Sequence, residues 1–133
     1  MTTRRLTAAA LGASLLLPLT SWAPAVASGG DDDRVIRTGS CTAGASWKLK
    51  VKTDDGQLEV EGQVDSNING QSWRWRIRHN GTVSARGIGV TQPPSGSFSV
   101  ERRIVDLAGV DHVVFRARHL GSDQVCRGVI HFG

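Results

Sequence analysis

From residue 46 to the C-terminus, apolar and polar residues alternate with a period of two, and no other feature constrains the fold of this chain as strongly. Trp47, Leu49 and Val51 alternate with lysines, and the same alternation recurs as far as Phe132. Because successive side chains of a β-strand point to opposite faces of a sheet, this period is typical of strands with one buried face. Since no helix pattern interrupts it, the sequence predicts an all-β domain.

About eight short strands, separated by turn residues, can be placed along residues 35–133. This spacing favours an antiparallel β-sandwich, and a closed barrel is the alternative. The stretch Asp106–Asp111, which precedes the apolar run at Val113, resembles the corner that leads into a late strand of immunoglobulin-like domains. The resemblance implies an immunoglobulin-like strand arrangement and carries no functional residue with it.

The dipeptide Asp55-Gly56 predicts a two-residue hairpin turn, since both positions of such a turn need positive φ. Centring the turn there pairs Val51 with Val60 on the inner face and Lys50 with Glu61 on the outer face. The turn signal and the apolar pattern therefore agree on one register.

The dipeptide Asn69-Gly70 predicts a second hairpin by the same reasoning. The outward pairs of this register are Glu61–Arg78, Gln63–Arg76 and Asp65–Arg74. An acidic strand would then lie between a lysine strand and an arginine strand and would neutralise part of both.

For the next connection we predict a three-residue loop, His79-Asn80-Gly81, which faces Ile77 with Val83. This register places Arg86 across from Arg74. The strand that follows is predicted to change phase at residues 87–89 through a bulge.

The first 27 residues have the organisation of a secretory signal peptide. Arg4 and Arg5 form a positive start, an apolar run covers residues 6–19, and Ala25-Val26-Ala27 supplies a small-residue cleavage site. We predict cleavage after Ala27, a flexible acidic tail at residues 28–34 and a folded domain at residues 35–133. A site two residues earlier and a retained membrane anchor are the alternatives; after cleavage no membrane span remains.

Two cysteines, Cys41 and Cys126, lie near the two ends of the predicted domain. An even number of cysteines in an exported chain points to a disulfide. Metal ligation is the alternative, but neither cysteine belongs to a C-x-x-C pair. In its overall style the chain resembles the small secreted proteins of high-G+C Gram-positive bacteria, which implies an extracellular or cell-wall location.

No metal or cofactor site is expected. Residues 65–70 match the first half of a calcium-loop pattern, but Arg76 stands where that pattern needs its bidentate glutamate. The four histidines, at positions 79, 112, 119 and 131, share no metal-ligand spacing on one strand.

Catalytic signatures are also sparse. The chain has no G-x-S-x-G element, and its cysteines are better explained as a disulfide than as nucleophiles. Asp106 and Asp111 with a histidine are the remaining candidates for acid–base chemistry, and they define the alternative hypothesis of a small extracellular hydrolase.

The candidate binding residues are Arg74, Arg76, Arg78, Arg86 and Trp73. Three of the arginines alternate along one strand and point the same way, and arginine binds phosphate and carboxylate groups in a bidentate manner. Trp47, Trp73 and Trp75 share the inner side of neighbouring strands, which favours burial in the core. Trp73, at the open end of its hairpin, is the candidate for partial exposure, where it would offer a stacking surface.

The sequence as a whole favours a secreted, non-enzymatic binding module. Its expected partner is extracellular or in the cell wall, either an anionic wall polymer or an acidic protein surface. An exported inhibitor of an extracellular enzyme is a further alternative. Nucleic acid is not expected, because a net charge of +4 is a mild excess for a nucleic-acid-binding chain.

Overall fold

A computed structural model describes residues 33–133, and within this range it contains eight β-strands and no helix. The strands are β1 (Arg34–Ser40), β2 (Ser46–Asp54), β3 (Gln57–Asp65), β4 (Ser72–His79), β5 (Thr82–Val90), β6 (Ser97–Val105), β7 (Asp111–His119) and β8 (Val125–Phe132). The predicted all-β class is confirmed. The predicted signal peptide and most of the predicted acidic tail lie outside the described residues.

Two antiparallel sheets of four strands each form a sandwich. One sheet has the order β1-β2-β3-β6, and we call it the lysine sheet because β2 presents Lys48, Lys50 and Lys52 outward. The other has the order β5-β4-β7-β8, and we call it the arginine sheet. Neither sheet closes on itself, so the sandwich is confirmed and the barrel is not formed. Constant-type immunoglobulin domains unite their first, second, fourth and fifth strands in one sheet. Here one sheet unites the first, second, third and sixth strands. The immunoglobulin-like interpretation therefore stays a prediction.

The hairpin at Asp55-Gly56 has the predicted register. Val51 pairs with Val60, and Lys50 pairs with Glu61. The Nζ atom of Lys50 lies 2.9 Å from Oε2 of Glu61. Both turn residues have positive φ, 50° for Asp55 and 77° for Gly56, as a type I′ turn requires.

The predicted pairing of β3 with β4 is wrong. β3 pairs with β6, while β4 pairs with β5 and β7, so the segment around Asn69-Gly70 carries the chain from one sheet to the other. The amide of Gly70 donates to the carbonyl of Thr91, and that of Ser66 donates to the carbonyl of Gly96. The β5–β6 connection thus supplies the hydrogen bonds that a hairpin would have supplied internally. As a result, the pairs Glu61–Arg78, Gln63–Arg76 and Asp65–Arg74 do not form.

The connection between β4 and β5 also differs from the prediction. His79 pairs with Thr82, so the turn has two residues, Asn80 and Gly81, with φ of 48° and 84°. The register then shifts at Ser84, which places the bulge beside the turn and not at residues 87–89. Because the bulge adds one residue to β5, the inward residue Ala85 still faces the inward residue Ile77, as the sequence pattern requires, and no longer loop is needed.

The predicted disulfide between Cys41 and Cys126 is confirmed, with 4.3 Å between the Cα atoms. Cys41 follows β1 at one edge of the lysine sheet, and Cys126 lies in β8 at one edge of the arginine sheet. The bond therefore fastens the two sheets together along one side of the sandwich.

Close packing between the sheets depends on a glycine in β3. A Cβ atom at Gly62 would lie 2.5 Å from ring atoms of Phe115, which is fully buried. We expect Gly62→Ala to lower the free energy of unfolding by roughly 1–3 kcal/mol, since the core has no room for another methyl group. Urea unfolding measures this. Gly44→Ala is the control, because no heavy atom lies within 4 Å of its added Cβ; equal effects of the two variants would contradict the packing described here.

Candidate functional site

A row of four arginines crosses the outer face of the arginine sheet, one from each strand. Arg86 pairs with Arg76, Arg76 pairs with Arg116, and Arg116 pairs with Arg127. Neighbouring strands are about 4.8 Å apart, so the row extends about 14 Å across the sheet. The alternation that buries Trp75 in β4 places Arg76 on the surface.

Three more arginines flank this row. Arg74 pairs with Arg118 on one side of it, and Arg78 lies in β4 on the other side. We call the combined surface the arginine face; its arginines are Arg74, Arg76, Arg78, Arg86, Arg116, Arg118 and Arg127.

Acidic residues do not neutralise the arginine face. The four strands of the arginine sheet contain a single acid, Asp111, which is buried on the inner side. Asp123, in the loop after β7, is fully exposed and holds Oδ1 3.6 Å from Nη2 of Arg118. Exposed pairs of this kind contribute little, so the face stays strongly positive.

The lysine sheet shows the opposite arrangement. Two of the three outward lysines of β2 face acids of β3, with Lys50 beside Glu61 and Lys52 beside Glu59, the latter pair at 3.6 Å, whereas Lys48 faces Gln63. Arg103 of β6 holds Asp54 at 2.7 Å. Arg34 and Arg37 of β1 face Lys52 and Leu49 and not acids, so what distinguishes the arginine face is the clustering of seven arginines on one surface.

The clustered charge disfavours the folded state. Partial burial, followed by the charges of Arg78 and Arg116, lowers the pKa of Arg76. Within the described residues, the buried Nε atom of Arg78 has no hydrogen-bond partner. Like charges directly opposite one another on a sheet are destabilising. A feature that opposes folding in this way is typical of a functional surface.

Removing one of these charges should therefore stabilise the free protein. A lowered pKa means that folding disfavours the charged form, so Arg76 opposes folding at every pH at which it is protonated. We expect Arg76→Gln to raise the free energy of unfolding by roughly 0.2–1 kcal/mol, the range for facing charges on a sheet. Urea unfolding checks this, with Lys50→Gln as the control, because that change breaks an ion pair and should not stabilise. A loss of stability in Arg76→Gln would contradict the repulsion.

Two hollows lie on the arginine face. The first, of about 690 Å³, opens beside β5; its walls include Arg74, Arg86, Arg118, Val83 and Ile88. The second, of about 310 Å³, opens towards β8; its walls include Arg78, Arg127, His112 and Val114. Arg76 and Arg116 line both hollows and form the ridge between them.

The structure places all four predicted arginines on this one face, with one change of position. The bulge sets Arg86 against Arg76, whereas the sequence placed it across from Arg74. Trp73 belongs to the core, as the inward pattern predicted, and the alternative of a partly exposed stacking surface is wrong, because its side chain is fully buried. The ring packs 5.1 Å from that of His119, and its Nε1 donates to Oε1 of Gln71 at 3.4 Å.

Sequence reasoning missed Arg116, Arg118 and Arg127 as members of the site. Arg116 and Arg118 alternate with inward residues of β7, so their outward direction was readable. Their position beside β4 was not, because pairing between β4 and β7 joins residues about 40 positions apart, such as Arg76 and Arg116.

The acids and histidine of the hydrolase hypothesis do not converge in an open cleft. His79 Nε2 and Asp111 Oδ1 lie 2.5 Å apart, and both side chains are buried. The same carboxylate oxygen accepts the amide of Leu107 at 3.3 Å, so the pair fastens the corner before β7 to the end of β4. Neither side chain lines a hollow of the arginine face. Asp106 is exposed and lines a separate hollow near the C-terminus.

Two further histidines contact each other, which the sequence did not predict. His112 and His131 face each other across β7 and β8, with ring centroids 4.4 Å apart. Across residues 33–133, no group of three or more histidine, cysteine or acidic side chains could hold a metal ion. In the predicted calcium-like segment, Asp65 Oδ1 accepts the amide of Asn67 at 3.1 Å, as in an ordinary turn.

Comparisons with protein-family models, curated proteins and solved structures find no match to this chain. No helix within residues 33–133 is long and apolar enough to cross a membrane. The disulfide is compatible with an extracellular protein. The arginine face is therefore the feature from which a function can be derived.

Proposed function

We propose that this chain is a secreted, non-enzymatic binding module that docks an anionic polymer on its arginine face. The observation that carries the proposal is the row Arg86–Arg76–Arg116–Arg127, which crosses all four strands without an outward acid on any of them. Guanidinium groups form charge-assisted, often bidentate hydrogen bonds with phosphate and carboxylate oxygens. An anion on this face would also relieve the repulsion that opposes folding.

The layout of the charges favours an extended ligand. Seven arginines occupy a face about 14 Å across, and they are distributed over two hollows and the ridge between them. A single small anion would contact only a few of them. A polymer with repeated anionic groups can contact many at once and releases counterions as it does so.

An extracellular location supports the same interpretation. The predicted signal peptide directs export, and disulfides form and persist in oxidising compartments. The resemblance to small secreted proteins of high-G+C Gram-positive bacteria supports export, and an exported arginine face can meet the anionic polymers of a cell wall. We therefore propose an anionic wall polymer as the partner class in preference to a soluble acidic protein.

Retention on an anionic matrix tests the proposal. Residues 28–133, with the disulfide intact, are applied to immobilised heparin as a generic polyanion and eluted with a salt gradient. We expect elution above about 0.15 M salt, where charges farther apart than about 8 Å are already screened and only direct contacts persist. The control variant is Arg34→Gln with Arg37→Gln on β1, which lies in the lysine sheet. Since it removes two charges away from the arginine face, it should elute with the wild type. Elution of the wild type in the wash at low salt would overturn the proposal.

A further inference from the structure

We infer that the polymer docked by the arginine face is a phosphodiester chain with short acyclic linkers, and that it runs across the strands with phosphate groups in both hollows. This inference rests on the proposed function and names the ligand class of the same site. Four observations carry it: the shared ridge, the spacing of the arginines, the burial of the indole and phenyl rings and the aliphatic walls.

The shared ridge fixes the direction of the chain. Arg76 and Arg116 line both hollows, one of which opens beside β5 and the other towards β8. A ligand that fills both hollows must pass over these two side chains, and it then runs from the β5 edge to the β8 edge. Arg86 and Arg127 stand at the two ends of that path.

The spacing of the arginines suits phosphate. Adjacent members of the row are about 4.8 Å apart at their backbones, so the guanidinium groups of two strands can approach one anion. A phosphodiester group has two charged, non-bridging oxygens, and these can accept hydrogen bonds from arginines of two strands at once. Carboxylates can accept in a similar way, so poly-glutamate is one of the polymers that the test below compares.

Indole and phenyl rings are almost inaccessible on the arginine face: Trp75 lines the first hollow but is only 3% exposed. The chain has no tyrosine, and the tryptophans and phenylalanines of residues 33–133 belong to the core or pack against it. Stacking on aromatic side chains contributes roughly 1–3 kcal/mol per base in proteins that bind single-stranded nucleic acid. The face therefore offers no exposed indole or phenyl ring to a nucleobase or a sugar, and its exposed rings are the imidazoles of His112 and His131.

Aliphatic side chains take the place of aromatic ones. Val83 and Ile88 line the first hollow and are 42% and 53% exposed, and Val114 lines the second. These side chains can contact the CH₂ and CH groups of a short linker while the arginines hold the phosphates on either side of it. Such alternation of charge and hydrocarbon is the chemistry of a poly(alditol phosphate).

Oligomers of glycerol phosphate of increasing length test the inference by isothermal titration calorimetry. We expect affinity to rise steeply until the oligomer spans the row of about 14 Å, and slowly thereafter. At equal charge concentration, poly-glutamate, single-stranded DNA and heparin should each bind at least about tenfold more weakly, a difference of 1.4 kcal/mol.

A variant of one hollow supplies the second measurement. Arg78→Gln with Arg127→Gln alters the second hollow and leaves the first intact. This variant should keep its affinity for the shortest oligomer and lose the gain with length, whereas Arg34→Gln with Arg37→Gln should keep both.

The failures of the two proposals are distinguishable. If heparin, DNA or poly-glutamate binds as tightly as glycerol phosphate oligomers, or if affinity shows no gain with length, the inference is wrong and polyanion binding stands. If none of these polymers binds, the proposed function fails with it.

Discussion

Arg76→Glu combined with Arg116→Glu is expected to weaken polyanion binding by about 10²–10⁴-fold, because each charge-assisted hydrogen bond contributes roughly 1.5–3 kcal/mol. These two residues form the ridge between the hollows, so a polymer that occupies either hollow meets them. The slope of log affinity against log salt should also fall by about 1.4–1.8, since two phosphate contacts are lost.

Titration of a fluorescently labelled polyanion at several salt concentrations measures both quantities. Arg34→Glu with Arg37→Glu makes the same change in net charge on β1, in the other sheet, and is the matched control. The ridge variant should remain folded, because Arg76 opposes folding in the wild type. If the two double variants lose affinity equally, binding follows net charge and not the arginine face.

Cys41→Ala combined with Cys126→Ala is expected to lower the free energy of unfolding by roughly 4–5 kcal/mol. The bond closes a loop with a sequence separation of 85 residues, and opening it frees the unfolded chain. For a domain whose total stability is on the order of 5–15 kcal/mol, this loss removes a large share.

Urea unfolding of the oxidised wild type and the double variant measures this effect. At temperatures where the variant remains folded, its affinity for polyanions should be unchanged, because the disulfide does not touch the arginine face. A loss below about 1 kcal/mol would show that sheet packing alone holds the sandwich together and would contradict the chain-entropy account.

Local patterns in the sequence predicted the strands and one hairpin, but they could not assign strands to sheets. At Asp55-Gly56 a two-residue turn forces β2 and β3 to be neighbours, so the pairing predicted from the alternation is the pairing that forms. At Asn69-Gly70 the alternation fits a hairpin within one sheet, but it fits equally well two strands that lie in opposite sheets and face a common core, which is the arrangement that β3 and β4 adopt. Alternation records only which side chains point inward, and it is identical in the two arrangements.

The candidate site was predictable to the same extent. Arg74, Arg76 and Arg78 lie in one strand, so their common direction follows from a period of two. The full row depends on neighbours that topology supplies, and on the bulge at Ser84 that sets Arg86 against Arg76.

The burial of Trp73 also depends on topology. His119, at the end of β7, packs against its ring. That contact forms only when β7 lies beside β4, a pairing between residues distant in the sequence.

Nuclear magnetic resonance mapping of residues 28–133, labelled with ¹⁵N and titrated with glycerol phosphate polymer, tests the central claim most directly. The polymer should shift the Nε–Hε signals of Arg76, Arg116 and Arg127 and the backbone amides of β4 and β7, in a saturable manner. Signals from β2 and β3, where Lys50 and Lys52 are paired with acids, should stay in place. Shifts centred on the lysine sheet, or small shifts spread evenly over both sheets, would contradict the assignment of the arginine face as the binding surface.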